Sequence, residues 1–386
     1  MSYYILPKNN NNIEIRPIYD SNEIPIYTSY SIYNHYSDAT EQLIKIHENS
    51  HDLSLNHIEN IYKEYNPYEY IFSKVPGSKY SVSKLKTKTN LFYEFLEIST
   101  TLNCFESFKN NNLKFVFNGT NFSDLVESFS LLRENKDDLL IHSNDHLLLE
   151  EGRYDFLFFE MEHKNSSTND YIFYFIKSIM KILKYQSMNG ICIIQITHII
   201  HKPIIQLLFL LSSLFEKTYI IKPNSSNIIY FDKYIVCKNF IMTEQKIEIY
   251  KKYYHQLNDF MIDKNEEKES NIHSIINQDL PYYFMNKIDD INIIIGQQQL
   301  ECIDQIINVF KNNNKKERIE YIRKINIQKS VHWCEKFKIP CNKFLEKTNI
   351  FLPMINEEER MVEERMIEER MTDMEKEEVE EGIDME

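Results

Sequence analysis

Few residues in this chain are spaced for chemistry. Its 386 residues include only six glycines, Gly77, Gly119, Gly152, Gly190, Gly296 and Gly382, and no two lie close together. A loop that cradles a phosphate needs glycine, because the backbone must approach the ligand and adopt positive φ. A Walker loop and a dinucleotide fingerprint are therefore excluded. The six cysteines (Cys104, Cys192, Cys237, Cys302, Cys334 and Cys341) form no CxxC pair, and Cys192 and Cys237 fall in apolar runs. They fit buried thiols in a reducing compartment rather than a disulfide framework or a zinc site. His332 beside Trp333 reads as helix packing rather than as a catalytic or metal-binding group. What remains is a polar run between apolar segments, Lys222-Pro223-Asn224-Ser225-Ser226-Asn227, and then Asp232-Lys233-Tyr234-Ile235-Val236-Cys237.

The elements that must position this run alternate as in an α/β sheet. Residues 1–38 are tyrosine-rich and aperiodic, an arm or a pair of short strands, and Ala39 to Tyr65 is helical with a break near Ser50–Leu55. Helices are expected over Lys88–Cys104, Phe122–Arg133, 169–187 and Pro203–Phe215, and strands at Leu113–Asn118, Asp138–His142, Tyr154–Glu160 and Gly190–Thr197. Asn189-Gly190 reads as the turn that stops the long helix before its strand. A hairpin of Lys217–Ile221 and Tyr230–Lys238 closes the sheet, and the pattern beyond Phe240 is helical, with a charged linker at Asp263–Ser270.

Composition bounds the rest. Apolar residues make up 42% and aromatics 13%, enough for a large core. The formal charge is −14, but residues 357–386 hold fifteen Asp or Glu against four Lys or Arg, so the remaining body is close to balanced. A near-neutral body does not advertise nucleic-acid binding, although it permits a local basic patch. The repeat Glu358-Glu359-Arg360-Met361, Glu363-Glu364-Arg365-Met366, Glu368-Glu369-Arg370-Met371 has a period of five, which turns each step by about 140° on a helix. No continuous apolar stripe results, and the segment reads as a solvated tail with rapid amide exchange. The most apolar helix is about twelve residues, short of the ~20 that cross a bilayer. No leader is visible at the start, and the expected location is the cytoplasm, of a host cell or within a particle.

The hairpin resembles the last one of the FtsJ-like RNA ribose 2′-O-methyltransferases, in which a strand, a KPxxSR loop and a strand of the type SEKYLVC follow one another. The cognate residues are Lys222-Pro223-Asn224-Ser225-Ser226-Asn227 and Asp232-Lys233-Tyr234-Ile235-Val236-Cys237. The resemblance extends by order of elements to about residues 80–240. The segment Ile327–Phe344 is similar to helical extensions of such enzymes in large DNA viruses. It implies a Rossmann-like S-adenosylmethionine-dependent methyltransferase fold, seven strands between about residues 85 and 240 with the last antiparallel, and helical additions at both ends. The domains implied are 1–80, an arm and helices; 81–242, the methyltransferase domain; 243–350, a helical region; and 351–386, the acidic tail.

Members of that family use a Lys-Asp-Lys-Glu tetrad, in which a lysine favours and orients the ribose alkoxide. The register places Glu94, Glu160, Gln195 and Asp232 at the four positions, and Asn227 where the loop has arginine. Both cations are gone, and three carboxylates repel a phosphodiester rather than stabilise an alkoxide. The cofactor loop, a Pro-Gly-Gly-Phe turn in the family, is here Asn118-Gly119-Thr120-Asn121-Phe122, with Asn118, Gly119 and Thr120 at the cofactor positions and no paired glycines. The expectation is a pseudo-methyltransferase without cofactor or resident metal, a scaffold or regulatory subunit whose partner is RNA or a capping or transcription protein. Two alternatives stay open. One is an active S-adenosylmethionine-dependent enzyme whose lysine is Lys222, Lys84 or Lys86; the other is a structural or packaging protein.

Overall fold

The computed structural model describes residues 2–10, 13–49, 61–133, 137–143, 154–161, 167–266, 270–311 and 316–342. The acidic repeat of residues 357–386 lies outside the described residues. The chain divides into two compact units, one of residues 1–68 and 87–313, the other of residues 69–86 and 314–386.

The first unit is built on a seven-stranded mixed sheet. In chain order its strands are β1 (Ser2–Leu6), β3 (Lys114–Asn118), β4 (Leu139–His142), β5 (Tyr154–Phe159), β6 (Gln186–Ile196), β7 (Phe215–Lys222) and β8 (Lys233–Phe240). Across the sheet they run β1-β7-β8-β6-β5-β3-β4. Strands β4, β3, β5 and β6 are parallel, and β8 is antiparallel to both β6 and β7. This is the Rossmann-like methyltransferase arrangement, with the hairpin strands paired from Phe215↔Phe240 to Ile221↔Tyr234.

Sequence alternation explains why this sheet is buried on both sides. Val116, Leu157, Phe159, Cys192, Ile194, Ile220, Ile235 and Cys237 enter one core. Their immediate neighbours Phe115, Phe117, Phe156, Phe158, Ile193, Tyr219, Ile221, Tyr234 and Val236 enter the other. Successive side chains on a strand face opposite ways, so near-continuous apolar runs mark a sheet covered by helices on each face. Helix α2 (Leu91–Thr101) and α3 (Phe122–Leu132) supply Phe95, Ile98, Leu125 and Phe129 to the second core. Helix α4 (Thr168–Tyr185) and the fully buried α5 (Lys202–Leu214) cover the first. A capping box starts α4, where Ser167 and Asp170 bond each other's backbone amides.

Three expectations are corrected. The seventh strand comes not from residues 85–240 but from the N-terminus, where β1 pairs antiparallel with β7 from Ser2↔Lys222 to Leu6↔Thr218. Helix α4 ends at Tyr185, and Gly190 lies inside β6 rather than in a turn before it. The left-handed backbone falls on Asn189 (φ 59°), next to a register shift between Tyr154 and Phe156 on β5. The last strand starts at Lys233 rather than Tyr230, because the preceding loop is held by side-chain bonds described below.

Outside the sheet, the unit has α1 (Tyr30–Asn49), α6 (Glu244–Glu266) and α7 (Tyr282–Lys311). The region after Phe240 also contains an unexpected strand, β9 (Asn271–Ile276), antiparallel to β2 (Ile15–Asp20). Helix α6 runs through Glu266, into the segment expected to be a linker. The second unit carries α8 (Lys316–Lys336) and the segment Glu69–Lys86, joined by the bridge between Ser83 and Cys341. Among the described residues no helix is long and apolar enough to cross a membrane.

Gly190 has no room for a side chain: a Cβ there would stand 2.1 Å from Gln186 Nε2 and 2.9 Å from the Asp155 carbonyl. Gly190→Ala is expected to lose about 1–3 kcal/mol in urea unfolding, as overpacked sites do. An unchanged midpoint would show that β6 does not need this close approach.

Candidate functional site

In an open α/β sheet, ligands sit beyond the carboxyl ends of the strands where strand order reverses. Here that point lies between β3 and β5, whose neighbours in the sheet are β4 and β6. The loop after β3 is Asn118–Asn121, and the residue after β5 is Glu160. The two are bonded to each other. Glu160 is 8% exposed, its amide donates to the Asn118 carbonyl (2.8 Å), and its Oε2 accepts from the amides of Thr120 (2.9 Å) and Asn121 (3.0 Å). Oε1 accepts from the Asn121 side-chain amide. These amides lead into α3, where exposed N–H groups and the helix dipole favour an anion. Gly119 is needed for this contact, since a Cβ there would stand 2.4 Å from Glu160 Cβ.

The other side of the loop is filled by rings. A His142 ring nitrogen bonds the Gly119 carbonyl (2.6 Å), and the imidazole stacks on Phe122 at 5.0 Å and 8°. Phe117 packs against both. Asn118 Nδ2 donates to the Ser143 carbonyl (3.0 Å), tying the loop to the end of β4.

The remaining expected positions gather on one face of the sheet, around a residue not singled out from the sequence, Tyr234. It pairs with Gln195 across β6 and β8, and its buried hydroxyl donates to Glu94 on α2. Burial raises the phenol well above its usual range, and the charges of Glu94, Asp232 and Glu160 push it the same way. Gln195 Oε1 accepts from the Met161 amide (3.0 Å), one residue beyond Glu160. Glu94, Glu160 and Gln195 thus each have a protein partner, and the Asp232 carbonyl accepts from Lys222. Among the described residues no cluster of three or more His, Cys, Asp or Glu could hold a metal ion.

Lys222 is an architectural group. Its ammonium donates to the carbonyls of Asn227 (3.1 Å), Tyr230 (2.7 Å) and Asp232 (3.0 Å), which closes the loop between β7 and β8. The other half of that clasp was invisible in the sequence. Glu97, fully buried on α2 one turn beyond Glu94, accepts from the amides of Asn224 (3.0 Å) and Ser225 (3.0 Å) and from the Ser225 hydroxyl (2.8 Å). Replacing Glu97 with Ala leaves two buried amides without their charged acceptor, and an expected loss of about 2–4 kcal/mol is readable by denaturant unfolding.

Lys233 is the second residue missed. It is 2% exposed, and its ammonium donates to the Thr197 carbonyl (2.8 Å). Being adjacent to Tyr234 on a strand, it faces the opposite side of the sheet from Glu94 and Gln195. Burial, with the nearby charge of Lys222, pulls its pKa from 10.5 down to about 7, against the opposing pull of Asp232. His198, in contact with Phe231 beside it, is lowered to about 3, chiefly by burial. Because the unfolded chain binds the lysine proton up to pH 10.5 and the folded chain only to about 7, the cost of burying this residue is full below about pH 7 and fades as pH rises from 7 towards 10.5. Lys233→Met is therefore expected to gain more over wild type in thermal unfolding at pH 6 than at pH 9. An equal gain at both would place the ammonium in solvent.

No family model matches the chain, and no curated protein matches it. Among solved structures, a putative ribosomal RNA methyltransferase from Plasmodium falciparum matches with 14% identity and a TM-score of 0.31, over 40% of this chain and 100% of that one. That score carries no argument; strand order and direction alone assign the fold.

Proposed function

We propose that this chain is an FtsJ-like, 2′-O-methyltransferase-fold protein that has left catalysis and serves as a scaffold or regulatory subunit, in company with RNA or a capping or transcription protein. One observation carries the reading: the Glu160 carboxylate holds the Thr120 and Asn121 amides at the strand-order switch point. The residues do not suit S-adenosylmethionine there. The loop offers its amides to Glu160, its remaining side is packed by His142 and Phe122, and its single glycine is closed by Glu160 Cβ. No methyl-transfer step is derived through such a site.

The tetrad positions support the same reading. Carboxylates at Glu94, Glu160 and Asp232 with the Gln195 amide offer no ammonium to hold a ribose alkoxide. Of the replacement lysines, Lys222 is bound to three carbonyls, and Lys84 and Lys86 belong to the other compact unit.

Isothermal titration tests the reading. No heat of binding is expected for S-adenosylmethionine up to about 1 mM, where a working enzyme of ordinary affinity saturates. Saturable binding together with methylation of a capped RNA would establish the active alternative. Glu94→Lys combined with Gln195→Lys is expected to stay inactive, since neither change frees the loop; activity in that variant would contradict the role given to Glu160.

A further inference from the structure

The described segments of the smaller unit carry a charge opposite to that of the whole chain. The whole protein carries −14, yet residues 69–86 hold four lysines against one glutamate, and residues 316–342 hold seven Lys or Arg against three glutamates. The two segments are one body. Beyond the bridge from Ser83 to Cys341, the Lys84 amide donates to the Pro340 carbonyl (2.9 Å) and the Asn342 amide to the Val82 carbonyl (3.0 Å). Upstream, bonds from Val82 to Tyr70 (2.8 Å) and from Val75 to Tyr80 (3.0 Å) close a short excursion. Its tip carries Lys74, Lys79 and Tyr80.

These cations are not structural. Lys74, Lys79, Lys84, Lys86 and Lys338 are all exposed, and none makes a salt bridge among the described residues. Tyr80 is 56% exposed, and Tyr321 on α8 is 64% exposed. Tyr80 follows Lys79 directly, so an exposed ring and an exposed ammonium are neighbours in the chain. The combination fits a ligand with regularly spaced anions and stackable faces.

We propose that this unit is a docking surface for the sugar–phosphate backbone of single-stranded nucleic acid. The lysines contact phosphates without reading sequence, and Tyr80 offers its ring to a base. These residues and Glu160 belong to different compact units, and the inference does not depend on how the Glu160 site is read.

The test is fluorescence anisotropy of the full chain with a labelled oligouridylate of about twenty nucleotides, between about 50 and 200 mM salt. Binding is expected to weaken steeply with salt. The triple variant Lys79→Glu, Lys84→Glu, Lys86→Glu should bind at least about tenfold more weakly, with a salt slope shallower by about 2, at ~0.7 per lost phosphate contact. Tyr80→Ala should weaken binding while keeping the slope, since stacking releases no counterions. The matching Lys→Gln triple variant, with circular dichroism, separates lost contacts from lost folding. No binding at the lowest salt, or undiminished binding by both triple variants, would overturn the proposal. So would equal binding of polyglutamate, which stands for an acidic partner or for the chain's own residues 357–386.

Discussion

The contact on which the rest of the site depends is a carboxylate held by two backbone amides. Glu160 ends β5, and its Oε2 takes the Thr120 and Asn121 amides where the chain turns from β3 into α3. A helix start presents unpaired N–H groups that must find an anion, water or a capping side chain. In this protein a residue forty positions away takes the amide of the N-cap residue Asn121 and that of Thr120 before it. The consequences spread outward: Gly119 must remain glycine, Asn118 is tied to Ser143, and the ring stack of Phe117, Phe122 and His142 can close over the loop. The Thr120 and Asn121 amides thereby have their acceptor within the chain.

The same sheet places a second carboxylate to similar effect. Glu97 binds the amides of the loop between β7 and β8, while Lys222 binds its carbonyls. Here the motif most like that of a methyltransferase proves to be a fastening between helix and hairpin. The Lys222-Pro223-Asn224-Ser225 run thus has a folding role of its own, whatever chemistry lies beside it. The buried Lys233 lies on the other face of the sheet, since strand alternation turns it away from Glu94.

Much of the sheet was legible in the sequence because its signals are local. Apolar runs at Tyr154–Phe159 and Gln186–Ile196 and the hairpin letters Lys233–Phe240 announce buried strands by their own composition. Strand β1 was legible only as one of a possible pair of short strands in residues 1–38; its place in the main sheet was not, since its partner Lys222–Thr218 lies more than two hundred residues away. Strand β9 was lost in a region of helical periodicity for the same reason, being paired to distant β2. In the site, two-residue alternation could have added Tyr234, the cross-strand partner of Gln195 and the donor to Glu94. Nothing local could have chosen between Glu94 and Glu97 as the loop's acceptor, or shown that the Glu160 side chain reaches the loop.

The central claim is that Glu160, not a ligand, satisfies the loop amides. Native-state hydrogen exchange by NMR on the protein alone, against Glu160→Ala, addresses it directly. The account predicts that the Thr120 and Asn121 amides are protected in the wild type with no ligand added, and that both lose protection in the variant while the amides of β5 and β6 keep theirs. Rapid exchange of Thr120 and Asn121 in the wild type, or protection unchanged by the substitution, would contradict it.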